Sequence, residues 1–247
     1  MKKVLIFLML TLLMAPVYAY ELSDLIDVPT AGILQKGESE ISAKVYRDNG
    51  LVLGTRVGLF PRFMFGVSYG AEHVVGNQDP QWHDRVEFNA KFRLMDETIT
   101  YPALAVGYDS QGHGSHHEDA ERYDIKSKGF YAVASKNYTF MGNLGLHGGI
   151  NYSFETEDDD DLNVFLGVDK SVGDVVNLLA EYDFAWNDNS NCGNICDLEK
   201  IGYLNAAASV HFSENLILKA AFYDILENRS DTHGTDRTII LIYKMTF

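Results

Sequence analysis

The sequence predicts an all-β fold, a transmembrane antiparallel up-and-down β-barrel of about 12 strands that follows a cleaved signal peptide. Three observations predict it. The N-terminus has the features of an export signal, apolar and polar residues alternate along successive segments, and short connections alternate with longer ones. A strand that faces lipid on one side and a lumen on the other needs such alternation, because successive side chains point to opposite faces.

Residues 1–19 resemble a signal peptide. Lys2 and Lys3 supply the positive start, an apolar run reaches Met14, and Val17-Tyr18-Ala19 fits a small-residue cleavage site. The apolar run is shorter than the ~20 residues that a membrane-spanning helix needs. We therefore expect a signal peptide at 1–19, a periplasmic leader at 20–37 and an outer-membrane β-barrel at 38–247.

Composition and charge exclude several classes of partner. The chain has 35 acidic and 20 basic residues, which gives a formal net charge of −15 at pH 7. Nucleic-acid binding needs a basic surface, so we expect no nucleic-acid partner.

No later segment has the ~18 consecutive apolar residues of a transmembrane helix. No phosphate-binding glycine loop is present, and we expect no cofactor.

Period-two alternation begins near Glu38 and recurs to the last residue. It is clearest at 85–94, where the apolar residues are Val86, Phe88, Ala90, Phe92 and Leu94. Each segment is close to the ~9–11 residues that a tilted strand needs to cross a bilayer. The segment 128–138 fits either phase. Several glycines fall on the inward phase, which suits a narrow lumen: Gly54, Gly58, Gly66, Gly70, Gly107, Gly149 and Gly167.

Short and long connections alternate along the chain. The short set lies at 61–62, 95–97, 140–143, 173–174 and 213–215. The other set is longer and more polar except for the tight turn at 48–50, and it lies at 76–82, 111–125, 155–161, 187–200 and 227–235. Outer-membrane barrels have short periplasmic turns and longer external loops. The pattern therefore predicts twelve strands and localisation in the cell outer membrane.

Aromatic residues lie at both predicted ends of the strands, as in barrels with two interfacial girdles. The expected partners are outer-membrane lipid and lipopolysaccharide. The chain ends on Phe247, in phase with Tyr243 and Leu241. That ending resembles the C-terminal recognition signal of outer-membrane barrels, so the barrel-assembly machinery is a further expected partner.

The inward phase carries a charged set that forms the candidate lumen and selectivity site. Its members are Arg56, Glu72, Arg85, Glu87, Lys91, Arg93, Asp169, Glu181 and Asp183. One interpretation is a paired network that closes and stiffens the barrel, because buried charges are costly unless they are paired or hydrated. The other is a water-filled pore with a transverse field that selects polar or charged solutes. The sequence leaves both open.

The predicted outer loops carry two weak metal candidates. His113, His116 and His117 lie near acidic residues, and imidazole with carboxylate can bind a transition metal. Their spacing fits no motif, so a solvated polar loop is the favoured interpretation. Asp158 to Asp161 are four consecutive acids that could bind Ca²⁺ or Mg²⁺. A solvated hairpin tip is again favoured, and no metal site is predicted.

Cys192 and Cys196 are predicted to form a disulfide that pins an outer loop, because exported chains meet an oxidising compartment. No catalytic residue is predicted. The chain has no Gly-x-Ser-x-Gly elbow and no His-Glu-x-x-His motif. Ser209 and His211 are close in sequence, but their inward phase points them away from lipid, where outer-membrane phospholipases place such a pair. We therefore expect a protein that is not an enzyme.

The leader and first strands resemble the opening of YjbH-type outer-membrane proteins. The similar residues are Asp27-Val28-Pro29-Thr30-Ala31-Gly32-Ile33 and Lys36-Gly37-Glu38, followed by the turn at 58–63, the strand at 66–69 and residues 125–128. Members of that family are associated with exopolysaccharide production and secretion. The resemblance covers the first half of the mature chain and implies a polysaccharide partner.

Two functions compete at this point. The first is a channel or export accessory for polysaccharide or small polar solutes, indicated by the charged and glycine-lined inward phase. The alternative is a plugged structural or surface-interaction barrel without transport, indicated by acidic outer loops and lumen charges that could pair off. An outer-membrane enzyme is a lesser alternative, because it needs a catalytic pair that the sequence does not display.

Overall fold

A computed structural model describes residues 21–77, 79–155, 159–188, 202–229 and 234–247. The predicted signal peptide and the pair Cys192 and Cys196 lie outside these residues. The strands are β1 (Glu38–Tyr46), β2 (Gly50–Phe60), β3 (Phe63–Glu72), β4 (Gln81–Trp82), β5 (Glu87–Met95), β6 (Ala103–Asp109), β7 (His113–His117), β8 (Arg122–Ile125), β9 (Gly129–Thr139), β10 (Asn143–Tyr152), β11 (Asn163–Val172), β12 (Val176–Asp183), β13 (Tyr203–His211), β14 (Leu216–Tyr223) and β15 (Asp236–Thr246). Short 3₁₀ segments occupy Arg47–Asn49, Glu118–Ala120 and Trp186–Asp188.

Twelve of these strands form a closed antiparallel barrel. Each barrel strand pairs with its neighbours along the chain, and β1 closes the barrel on β15 from Glu38 opposite Thr246 to Val45 opposite Ile239. Closure leaves no unpaired sheet edge, which a bilayer interior requires because it offers no water to the backbone. The predicted twelve-stranded, up-and-down barrel is confirmed.

Three short strands lie outside the barrel wall. β4 pairs with the outer end of β3, with Ala71 opposite Trp82. β7 and β8 form a separate hairpin inside the longest outer loop. No helix in the described part of the chain is long and apolar enough to span a membrane.

The strand phases agree with the alternation in the sequence. Side chains such as Ile41, Leu53 and Phe88 are about half exposed on the outer wall, where an apolar belt meets lipid. The phase of β9, which fitted either choice, is set by Phe130 facing outward and Val133 facing inward. The apolar belt surrounds the barrel, while charged side chains of the strands such as Glu87, Lys91 and Glu181 are buried on the inner wall.

Residues 21–37, the predicted periplasmic leader, lie inside the barrel. The chain enters from the end that holds the termini and turns back in a tight hairpin, where the Leu25 N–H donates to the Val28 carbonyl at 3.0 Å and the Thr30 N–H to the Ser23 carbonyl at 3.0 Å. Leu25 and Val28, at the tip, are fully buried. We call residues 21–37 the leader hairpin.

Two inward glycines make room for the leader hairpin. A Cβ at Gly167 on β11 would collide with the Leu25 side chain. A Cβ at Gly58 on β2 would collide with the carbonyl of Gln35. The small inward residues of the wall therefore accommodate an inserted segment as well as curvature.

Candidate functional site

The tip of the leader hairpin wraps around one carboxylate of the wall. Glu181 on β12 accepts the backbone N–H groups of Ile26, Asp27 and Val28 at 3.0, 2.9 and 3.1 Å. The Asn205 side chain donates to the same carboxylate at 2.8 Å. Successive N–H groups in a turn form a cradle for an anion, and such charge-assisted bonds are stronger than neutral ones. The Glu181 side chain therefore holds the hairpin tip by bonding to the backbone of the tip.

Three cations of the wall bind carbonyl oxygens of the leader hairpin. Lys91 donates to the carbonyls of Ser23 and Gly32, and Arg93 donates to the Ala31 carbonyl at 2.9 Å. Lys219 donates to the Leu25 carbonyl. Buried cations without acceptors would be costly, so these carbonyls stabilise the charged side chains as much as the side chains hold the leader hairpin.

Acidic side chains of the leader hairpin add ion pairs. Asp24 pairs with Arg56, which also donates to the Ser23 hydroxyl at 3.1 Å. Asp27 pairs with Lys128 at 2.7 Å, and Lys128 in turn pairs with Asp183 at 2.6 Å. Of the nine predicted lumen residues, Arg56, Lys91, Arg93 and Glu181 thus contact the leader hairpin directly, and Asp183 does so through Lys128.

The other four predicted lumen residues lie elsewhere. Glu87 is buried near the outer mouth, where it pairs with Arg85 at 2.6 Å and accepts the Tyr123 hydroxyl at 2.9 Å. Glu72 lies 4.0 Å from His83. The fourth, Asp169, belongs to a separate group on β9 to β11. The structure therefore divides the predicted set between the leader hairpin, the outer mouth and that group.

The sequence did not predict that Ser135, His147 and Asp169, on β9 to β11, lie together. Asp169 lies 2.8 Å from His147 Nε2, and His147 Nδ1 lies 2.8 Å from the Ser135 Oγ. Serine hydrolases use this set of side chains, but the Ser135 Oγ accepts the Ala31 N–H at 2.8 Å and the residue is only 5 % exposed. With the leader hairpin in place, the hydroxyl is buried and bonded to Ala31, so the group contributes to holding the leader hairpin.

The β7–β8 hairpin covers the outer mouth of the barrel. The His113 ring stacks on Tyr223, with centroids 3.6 Å apart, and its Nε2 lies 2.7 Å from Asp236. The Arg122 guanidinium contacts both carboxylate oxygens of Asp188, at 2.7 and 3.1 Å, and is almost fully buried. We call residues 113–125 the outer cap.

A second ion pair in the outer cap is partly buried. His117 Nε2 lies 2.8 Å from Asp124, and Arg229 approaches the same carboxylate at 3.2 Å. The hydrogen bond to Asp124 raises the pKa of His117 above its usual value. Burial acts to raise the pKa of Asp124, but His117 and Arg229 hold it well below its usual range.

Of the two predicted metal candidates, the three histidines do not point to one place and the consecutive aspartates lie on the surface. His113 and His117 each bind a different carboxylate, while His116 packs against Tyr123 with ring centroids 4.9 Å apart. The three imidazoles therefore do not converge. Oxygen atoms of Asp159, Asp160 and Asp161 lie within 4.8 Å of one another at a loop tip. Exposed acids of this kind are common without a bound ion.

A cavity of about 140 Å³ lies between the leader hairpin and one side of the wall. Residues of β1, β2, β3, β5, β6, β14 and β15 line it, with Gln111 and Gly112 of the longest outer loop. Towards the periplasmic end, Ile33 and Leu34 of the leader hairpin pack with Met64. The lumen therefore contains a chamber with polar and charged lining beside the leader hairpin.

The closed barrel, its apolar outer belt and its polar interior define the class of this protein: it is an outer-membrane β-barrel. The fold is similar to that of the KdgM porin, with a TM-score of 0.51 at 8 % identity over 83 % of this chain and 98 % of that one. Omp33 of Acinetobacter baumannii gives a TM-score of 0.47 at 13 % identity, covering 85 % of this chain and 97 % of that one.

Phospholipase A of Escherichia coli, an outer-membrane enzyme, gives a TM-score of 0.38 at 10 % identity, covering 95 % of this chain and 93 % of that one. At such low identity these likenesses show the fold alone. No family model and no curated protein matches the sequence. The resemblance to YjbH-type proteins therefore stays a prediction.

Proposed function

We propose that the protein is an outer-membrane channel for small polar solutes and that the leader hairpin gates it. The observation that carries the proposal is the chamber of about 140 Å³ beside the leader hairpin, with its polar and charged lining. An interior with this chemistry is stable when it holds water, whereas a permanently packed core favours apolar side chains.

The chemistry under the leader hairpin supports the same proposal. The wall residues that bind the leader hairpin are Lys91, Arg93, Lys219 and Glu181. These side chains would remain hydrated and charged if the leader hairpin withdrew. Withdrawal would then open a polar passage rather than expose an apolar core. The chamber suits a small solute better than an extended polymer, so we favour small polar solutes over polysaccharide.

The rival function is a permanently plugged barrel with a structural or surface role. The density of bonds between the wall and the leader hairpin favours it, since Glu181 alone accepts three backbone N–H groups. In that case the lumen charges serve to fix an inserted segment, and the outer loops carry the function.

Single-channel recording separates the two functions. Refolded mature protein is compared in planar bilayers with a variant that lacks residues 21–34, and heat-modifiable migration in gels verifies that both are folded. We expect brief, small openings from the mature protein and larger, steadier openings from the shortened variant. Silence from both folded proteins would contradict the channel.

A further inference from the structure

We propose that the chamber beside the leader hairpin binds a small zwitterionic solute that carries a carboxylate and an ammonium group, such as an α-amino acid. This rests on the proposed function in placing the binding site on the solute path, although binding itself does not require conduction. Lys44 and Asp109 line the same chamber with opposite charges. Among the described residues, neither of them forms an ion pair with an oppositely charged side chain, whereas Asp24 and Asp27 in the same chamber do.

Lys44 is the basic group of the site. In the described part of the chain, its ammonium takes part in no ion pair and no hydrogen bond, and it lies 5.3 Å from the centroid of the Tyr223 ring. An aromatic face stabilises a cation but leaves its N–H donors unused. The carboxylate of a solute would supply the acceptors that Lys44 lacks.

Asp109, at the outer end of β6, is the acidic group of the site. Its carboxylate accepts the backbone N–H of Gln111 at 3.0 Å, and no basic side chain among the described residues pairs with it. The other acids of the chamber differ, since Asp24 pairs with Arg56 and Asp27 with Lys128. Asp109 is therefore the acid that is available to an ammonium group of a solute.

A neutral acceptor lies beside Asp109. Asn89 on β5 is the direct strand partner of Asp109, and it also lines the chamber. Its side-chain oxygen is buried and has no hydrogen-bond partner. A buried acceptor without a donor is unfavourable, and a bound ammonium would satisfy it. The site thus offers two acceptors at one place and an ammonium donor from β1.

Size and charge together select the solute. A water molecule takes ~30 Å³ of liquid, so a chamber of about 140 Å³ admits a solute of several heavy atoms. A simple anion would provide no donor for Asp109 and Asn89. A simple cation would provide no acceptor for the Lys44 ammonium. A small amino acid satisfies both ends at once, which is why alanine is the probe that we choose.

Equilibrium dialysis of radiolabelled alanine against the refolded full-length mature barrel in detergent micelles tests the site. We expect saturable binding that Lys44→Gln and Asp109→Asn each weaken about tenfold, because each removes charge-assisted bonds. Arg62→Gln and Asp174→Asn are the matched controls, since both side chains are exposed in short turns, and they leave the affinity unchanged. Propionate and ethylamine, which each carry one of the two charges, compete about tenfold less well than unlabelled alanine.

Three results would overturn the site. The first is the absence of saturable binding to folded protein. The second is an alanine affinity that is the same in the original protein and in both chamber variants, and the third is competition by propionate or ethylamine as strong as that by alanine. Each is read only from protein with heat-modifiable migration, and the two variants act on different strands, so failure of one to fold leaves the other. Alanine binding together with silent bilayers would contradict the channel but support the site.

Discussion

The leader hairpin lies in the lumen and the outer cap covers the outer mouth, and the wall holds the two regions in different ways. The leader hairpin is bound largely through its backbone, by Glu181, Lys91, Arg93 and Lys219. The outer cap is bound mainly through its own side chains, chiefly by the Arg122 contacts with Asp188, and Glu155 adds one bond to the Tyr123 backbone N–H. A segment held by its backbone tolerates many sequences, whereas one held by side-chain pairs depends on each pair.

The leader hairpin and the outer cap also differ in how they are attached to the barrel, and therefore in how each can move. If residues 1–19 are removed as predicted, the leader hairpin is one end of the chain and could leave the lumen without breaking the barrel. The outer cap is tied to the wall at both of its ends, and it can only loosen locally. Under the proposed channel function, the leader hairpin is therefore the better gate, and the outer cap is the better fixed entrance.

The largest effect is expected from Glu181→Ala. The substitution leaves the N–H groups of Ile26, Asp27 and Val28 without their acceptor and weakens the seating of the leader hairpin by about 3 kcal/mol. We expect proteolysis of residues 21–37 in micelles to accelerate on the order of 100-fold. Glu214→Ala, in an exposed turn, is the control, and equal cleavage rates in both variants would show that Glu181 does not hold the leader hairpin.

A smaller effect, confined to the outer cap, is expected from Arg122→Met. It leaves Asp188 buried with the Tyr203 hydroxyl but without its guanidinium, and it destabilises the outer cap by about 2 kcal/mol. Hydrogen exchange of the β7 and β8 amides should accelerate, while proteolysis of the leader hairpin stays unchanged. Arg122→Lys should not restore protection, because one ammonium cannot replace a two-point guanidinium contact. If leader cleavage also accelerated, the two regions would not be independent.

The smallest effect is a pH dependence of the outer cap. The raised pKa of His117 means that its pairing with Asp124 stabilises the cap fully below about pH 6.5 and is lost as the pH rises through the raised value. The lowered pKa of Asp124 stabilises the cap above about pH 4 and is lost on further acidification. Exchange of the β8 amides should therefore be slowest between these limits. A His117→Asn variant should lose the alkaline limb, and an unchanged profile would rule out this pair as its cause.

The sequence predicted the barrel because each strand carries its own local signal. Alternation of the kind seen at 85–94 and the sorting of short and long connections depend on neighbouring residues alone. The inward phase of Arg56, Lys91 and Glu181 was predicted for the same reason. Their partners were not, because Glu181 and Ile26 lie on distant parts of the chain and meet through backbone N–H groups, which leave no trace in residue type.

The group of Ser135, His147 and Asp169 was accessible in principle. The short turn at 140–143 fixes the register that sets Ser135 opposite His147. The ambiguous phase of the segment 128–138 concealed it, because only one phase points Ser135 inward. His147 and Asp169 each lie on an inward phase, but a charge pair on neighbouring strands becomes visible only when the register is known.

The central claim is that the leader hairpin lies in the lumen and closes it. Ala31→Cys with Ser135→Cys tests this directly, in a background with Cys192 and Cys196 changed to Ser, because the Ala31 N–H donates to the Ser135 Oγ at 2.8 Å. Oxidation of outer membranes should join the two cysteines, and the oxidised protein should stay closed in planar bilayers until a reductant restores its openings. Failure of the cysteines to join, or openings that oxidation leaves unchanged, would contradict the account.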